Sequence, residues 1–157
     1  MIVHAGSRSA FALVGVGGAV GGSLRYGLVQ WFPETTGGFP VTTFLINVLG
    51  SFALAVLVSG VAARSTAPGW LRPALGTGLL GGFTTFSAVM RALDALDGSG
   101  HPSVAIGYLV ATLAFAIGAA VLGVNLGEWW VRRDAFRETA GVTGVTGDPG
   151  DPRGAAR

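Results

Sequence analysis

The 157-residue chain contains no cysteine and no lysine, and only 11% of its residues are charged. The lack of thiols excludes disulfides and thiolate metal sites. All of the basic residues are arginine, and the formal net charge is only +2. The high isoelectric point, near 9.9, therefore reflects missing lysine and tyrosine buffering and not a basic patch, so nucleic acid is not an expected partner. The 27 glycines follow no three-residue period, which excludes collagen. The two histidines, His4 and His101, stand at a terminus and in a loop and read as solvated surface. No nucleophile–base or carboxylate pair falls where the sequence could bring it into one cavity, so the chain is not expected to be an enzyme and needs no organic cofactor. What remains is apolar. Half of the residues are hydrophobic and mean hydropathy is +0.60, too high for a soluble domain of this length.

Four apolar runs can be read along the chain: Ala10 to Phe32, Val41 to Ala63, Trp70 to Leu93 and Val104 to Gly127. Each reaches the ~20 residues that cross hydrocarbon as a helix. The first has no small-residue cleavage site and is too long for a signal-peptide core. Trp31, Trp70, Trp129 and Trp130 stand at run ends, the level of the membrane interface. The expected fold is an all-α membrane protein with four transmembrane helices. Residues 1–9 read as a flexible N-terminus, 10–131 as the transmembrane domain, and 132–157 as a polar, disordered tail, most strongly from Gly141 to Arg157. With a cytoplasmic N-terminus, that side holds Arg8, Arg64, Arg72, Arg132, Arg133 and Arg137, whereas the other side has Arg91 beside Glu34, Asp94 and Asp97. That bias puts both termini in the cytoplasm. Glycine and alanine pairs at small-xxx-small spacing (Gly17/Gly21, Gly18/Gly22, Gly78/Gly82, Ala119/Gly123, Gly123/Gly127) mark close helix approach. Four short helices enclose little interior, so an oligomer surrounded by lipid is expected.

The third run is unusual. Gly76-Thr77-Gly78-Leu79-Leu80-Gly81-Gly82-Phe83-Thr84-Thr85-Phe86-Ser87 combines glycines, hydroxyls and two phenylalanines at membrane depth. Its Gly76-x-Gly78-x-x-Gly81 fits the dinucleotide fingerprint by letter, but the membrane context excludes that fold. A helix break within lipid must be buried in protein or line a watery cavity, so the third helix is expected to break near Gly76–Gly82 and to serve an ion. Arg25 lies within the first run; it either snorkels to the nearby interface or faces a cavity, and with no acid in any span core its field favours anions. Asn47 either bridges helices or offers N–H donors to an anion, with Ser51 one turn on. Phe83 and Phe86 share a face if the segment is helical. Taken alone they read as lipid or core side chains, although ring edges can contact an anion. Thr84, Thr85 and Ser87 interleave hydroxyls. This set suits a small, strongly hydrated anion and not a proton-coupled cation.

These residues resemble the CrcB/Fluc fluoride channel family. The similarity lies in Gly18-Ala19-Val20-Gly21-Gly22-Ser23-Leu24-Arg25-Tyr26, in Asn47-Val48-Leu49-Gly50-Ser51-Phe52 and, most specifically, in Gly78 through Ser87; Tyr108 and Gly118 to Gly123 fit the fourth helix. It spans about residues 10 to 127. The resemblance implies passive export of cytoplasmic fluoride across a bacterial cell membrane, which lowers fluoride toxicity. It also implies an antiparallel, dual-topology dimer with two narrow pores. Phe83 and Phe86 would supply an aromatic box and Asn47 a pore amide; Thr84, Thr85, Ser87, Tyr108 and Thr112 would form a polar track, with Arg25 near the vestibule. A structural sodium ion at the dimer centre would be held by backbone carbonyls, here placed on Gly78 and Gly81.

The chain departs from the family pattern at Ala88, where a hydroxyl is usual, and at Ala92, where a glutamate is; Gly22 and Thr42 replace a common alanine and a common glycine. The thinner polar track leaves a second reading, a non-conducting structural partner in a heterodimeric fluoride channel. The arginine asymmetry points the same way: one insertion direction, and pairing with a similar subunit inserted oppositely rather than with a second copy. A small four-helix multidrug-type exporter is the remaining alternative, disfavoured because no intramembrane carboxylate is present to couple protons.

Overall fold

A computed structural model of the chain describes residues 5–143 except Ser65. Among the described residues every regular element is helical. Helix α1 is Ala5–Trp31, α2 is Val41–Val56 with a wide-turned extension Leu57–Val61, and a second wide-turned segment is Arg72–Leu80. A single turn α3 (Gly81–Phe83), helix α4 (Phe86–Gly98) and the long α5 (Pro102–Thr143) complete the order. Three stretches are long and apolar enough to cross a membrane: Arg8–Trp31, Val41–Val61 and Pro102–Ala135. The chain is thus a multi-pass helical membrane protein, and its remaining apolar run is divided into two shorter helical pieces.

Local chemistry explains the ends of these elements. Gly37 has φ 76°, in the left-handed region that glycine enters without steric cost, and turns the chain between α1 and α2. Pro40, before α2, has no side chain that can cap it; the Glu34 carboxylate does so instead, accepting the Thr43 N–H at 2.9 Å. Helix α4 ends in a Schellman closure around Gly100 (φ 81°): His101 N–H donates to the Leu96 carbonyl and Gly100 N–H to that of Asp97, both at 2.9 Å. Pro102 then opens α5, where its missing N–H costs no hydrogen bond. His101 is exposed, as expected for a loop residue, with its ring against Gly37.

Glycines set the close packing. Gly17 and Gly21 of α1 lie against the Ala74 and Leu79 carbonyls, and a side chain on Gly82 would come within 2.6 Å of the Gly18 carbonyl. On the other side Gly123 and Gly127 of α5 meet Phe52, Ser59 and Gly60. The small-residue spacing therefore identifies the two tightest helix contacts. The buried core (Val89, Ala92, Leu96, Ala105 and Tyr108) lies between α4 and α5, covered by Phe44. Edge-on aromatic contacts run from Tyr108 to Phe39 (5.3 Å), Phe39 to Phe44 (5.4 Å) and Phe44 to Phe115 (5.6 Å).

Three boundaries differ from the sequence reading. The third segment does not open at Gly76–Gly82, which stays wound, but at Thr84 (φ −85°, ψ 146°) and Thr85 (φ −159°, ψ 130°). The glycines permit close approach and wide turns, while the break falls where another helix supplies replacement hydrogen bonds. The N-terminal helix already begins at Ala5, inside the stretch 1–9 read as flexible. The last helix continues past Arg132 to Thr143, tied by Arg132–Glu128 and Arg64–Asp134 ion pairs, both 2.6 Å, and by Arg133 over the Trp129 ring at 5.2 Å. Residues 1–4 and 144–157 lie outside the described residues.

Candidate functional site

The break at Thr84–Thr85 is built by a single side chain. Asn47 is buried on α2, and its Oδ1 accepts the Thr85 N–H at 2.9 Å while its Nδ2 donates to the Thr85 carbonyl at 3.4 Å. An amide presents one donor and one acceptor in a plane, as a neighbouring peptide unit does, so it replaces the backbone partners that an interrupted helix loses. The second Nδ2 hydrogen is left to donate elsewhere. The interhelical role weighed for Asn47 is therefore realised, and a donor remains.

The hydroxyls finish the break. Thr84 Oγ1 donates to the Leu80 carbonyl at 3.0 Å, closing the end of α3, and its methyl packs against Gly50. Thr85 caps α4: its Oγ1 accepts the Ser87 N–H at 3.2 Å and lies 2.7 Å from Ser87 Oγ. Arg25 Nε donates to the Gly82 carbonyl at 3.4 Å, which ties this half-buried arginine to the segment that carries the break. With Thr85 N–H engaged by Asn47, the amide that would close a turn onto the Gly81 carbonyl is diverted. The Gly78 carbonyl shares the Gly81 N–H with the Gly76 carbonyl and lies beside Gly18 of α1.

Above the break opens a cavity of ≈ 290 Å³ whose lining includes Arg25, Asn47, Thr85, Glu34, Thr43 and Arg91. Of the sequence-derived set, Arg25, Asn47 and Thr85 meet there, with Thr84 and Ser87 adjoining through the break. Phe83 and Phe86 do not share a face, because the two extended residues between them remove the helical phase. Phe83 enters a cleft with Leu28, Phe32, Leu45 and Leu49, whereas Phe86 is 61% exposed on the isolated chain. Tyr108 and Thr112 lie elsewhere, one turn apart on α5 and fully or almost fully buried, and among the described residues neither hydroxyl has a hydrogen-bond partner beyond the other. Arg91 is the residue the motifs missed. The signal was present in its spacing: Ala88, Arg91, Ala92 and Ala95 form one stripe of α4, and all four line the cavity.

A family model described as "CrcB-like protein, Camphor Resistance (CrcB)" matches residues 12–124, from α1 through most of the membrane-spanning part of α5. The chain belongs to the CrcB family. Among its CrcB-type relatives, the "Fluoride-specific ion channel FluC 2" of Streptomyces avermitilis is 42% identical over 108 residues, covering 69% of this chain and 68% of that protein. A protein of the same name from Nocardia farcinica is 40% identical over 116 residues, 74% of this chain and 83% of that protein. The "Fluoride-specific ion channel FluC" of Chloroflexus aurantiacus is 39% identical over 118 residues, 74% and 94% of the two chains. The CrcB match takes in Arg25, Asn47, the break, Arg91 and the buried hydroxyls of α5, and stops short of the polar end of that helix.

Proposed function

We propose that the chain is a subunit of a fluoride-selective channel that lets fluoride leave the cytoplasm passively, the activity named for its CrcB relatives. The observation that carries the reading is the Asn47–Thr85 junction. It is a helix break in an apolar protein, held open by a neutral amide with a donor to spare, beneath a cavity lined by two arginines and one carboxylate. Dehydrating a small anion costs least where fixed N–H and O–H donors replace its water. The spare Asn47 donor and the hydroxyls of Ser87, Tyr108 and Thr112 are such groups.

The wound piece Arg72–Phe83 and helix α4 together make a fourth crossing in this reading, interrupted at Thr84–Thr85. Phe86 and Ser87, exposed on one chain, would face an oppositely inserted subunit. The weight of arginine at the end carrying both termini favours a similar but distinct partner over a second copy, with the termini in the cytoplasm. A sodium ion between subunits would need carbonyls freed by the break. The Gly81 carbonyl, whose turn-closing amide is diverted to Asn47, fits such a role, and the Gly78 carbonyl, which shares the Gly81 N–H with Gly76, keeps a lone pair for it. When bound, that ion offsets the repulsion between anions in transit.

Fluoride efflux from liposomes tests the proposal, with the chain alone and with its paired homologue. Efflux that excludes chloride is expected in at least one arrangement, and its absence in both sinks the reading. Efflux only with the partner present distinguishes a heterodimer from a homodimer. Phe86→Ile is expected to lower flux about tenfold with little change in folded yield, because the ring is 61% exposed on the single chain and isoleucine stays apolar. Wild-type flux in that variant removes Phe86 from the pathway.

A further inference from the structure

Arg91 occupies a position that neither the motifs nor the break explains. It stands six residues beyond Thr85, roughly 9 Å along α4 at the helical rise of 1.5 Å per residue. No hydrogen bond joins it to the Asn47 amide among the described residues, yet it lines the same cavity. The ion pairs among the described residues are Arg64–Asp134 and Arg132–Glu128, so neither Arg91 nor Arg25 is neutralised by a carboxylate in contact. The acids nearest in sequence, Asp94 and Asp97, line a different cavity with Leu93 and Pro102. Glu34 is the acid that lines the Arg25–Arg91 cavity, its Oε1 held by the Thr43 N–H, and Asp94, one turn on from Arg91 along α4, adds a second negative charge beside it. Alanines 88, 92 and 95 supply the rest of the α4 wall, so the side chains that helix adds to the cavity beside Arg91 are small and apolar.

We propose that Arg91 is the outer member of an electrostatic funnel for small inorganic anions. Arg25 is the inner member, and Glu34 moderates the field. The assignment deepens the channel reading and rests on it for the identity of the anion. A cleft lined by one sign of charge within low-dielectric walls concentrates counter-ions at its mouth and raises their capture rate by about 10- to 1,000-fold. The field of Arg91 reaches Thr85 at low ionic strength. It is largely screened where the Debye length falls to ~3 Å, at about 1 M salt. Arg91 therefore acts on anion capture and not on the passage through the break, where Asn47 and Arg25 make the contacts.

The chain has no cysteine, so Ala95→Cys places a single reporter thiol in the cavity wall of the full-length protein. The rates of its modification by an anionic and by a cationic methanethiosulfonate reagent report the local potential without reference to fluoride. The anionic reagent is expected to be favoured. Adding Arg91→Gln should lower the anionic-to-cationic rate ratio by about tenfold, the lower end of the range for charge-lined clefts. Arg91→Lys should retain the ratio. Glu34→Gln keeps a carbonyl acceptor for Thr43 and should raise it. All ratios should converge in about 1 M salt. In parallel, Arg91→Gln should slow fluoride efflux severalfold at about 10 mM salt, where the Debye length is ~30 Å, and little at high salt. A ratio indifferent to Arg91→Gln overturns the proposal, as does a lowered ratio with unaltered low-salt efflux. A shifted ratio in a protein that passes no fluoride at all upholds the anion funnel and removes the channel reading instead.

Discussion

Asn47→Asp should abolish fluoride flux in a chain that still folds. The carboxylate can accept the Thr85 N–H as the amide oxygen does at 2.9 Å, so half of the junction survives. What it cannot do is donate to the Thr85 carbonyl or to an anion, and it places a negative charge at the floor of the cavity. At an effective dielectric of about 20, two like charges ~4 Å apart repel by roughly 4 kcal/mol, close to a thousandfold in rate. Asn47→Ala acts differently. It leaves the half-buried Thr85 N–H and carbonyl without their side-chain partner, at up to about 1 kcal/mol each, and should lower stability together with flux. Liposome efflux alongside thermal unfolding of the purified protein separates the two effects. If Asn47→Asp conducts normally, the anion path does not pass this residue.

The second large effect is expected at Gly21. A methyl there would overlap the Leu79 carbonyl and crowd the Phe83 amide, both of them backbone and unable to rotate away. Gly21→Ala must then push α1 off the segment that carries the break, and overpacking of this kind costs about 1–3 kcal/mol. Gly22 is the internal control. It has no neighbouring atom within 4 Å beyond its own helix, so Gly22→Ala should be neutral or should stabilise by about 0.5–1 kcal/mol through helix propensity. The unfolding midpoint should therefore fall in Gly21→Ala and hold or rise in Gly22→Ala. Equal shifts would show that the approach of α1 to Arg72–Phe83 is not what Gly21 protects.

The contrast between adjacent glycines shows how far the chain can be read by itself. The spacing Gly17/Gly21 and Gly78/Gly82 shows that two helices meet closely, because only small residues let backbones approach. It does not say which pair lies at the contact: Gly17, Gly21, Gly78 and Gly82 meet backbone, whereas Gly22 faces open space. The two phenylalanines illustrate the opposite failure. Their spacing of three implies a shared face only in an unbroken helix, and the break falls between them.

Composition, run length and the run of glycines and hydroxyls were sufficient for a helical membrane protein with an irregular third segment, since these follow from local propensity and the cost of unpaired polar groups in lipid. Helix spacing alone could not say where that segment opens. The break sits at Thr84–Thr85 because an amide 38 residues away in sequence supplies its hydrogen bonds. The same docking of α4 on α2 brings Arg91 into the cavity of Arg25, and turns Phe83 and Phe86 apart. Contacts between residues distant in the chain depend on how whole helices pack, and that packing exists only in the folded molecule.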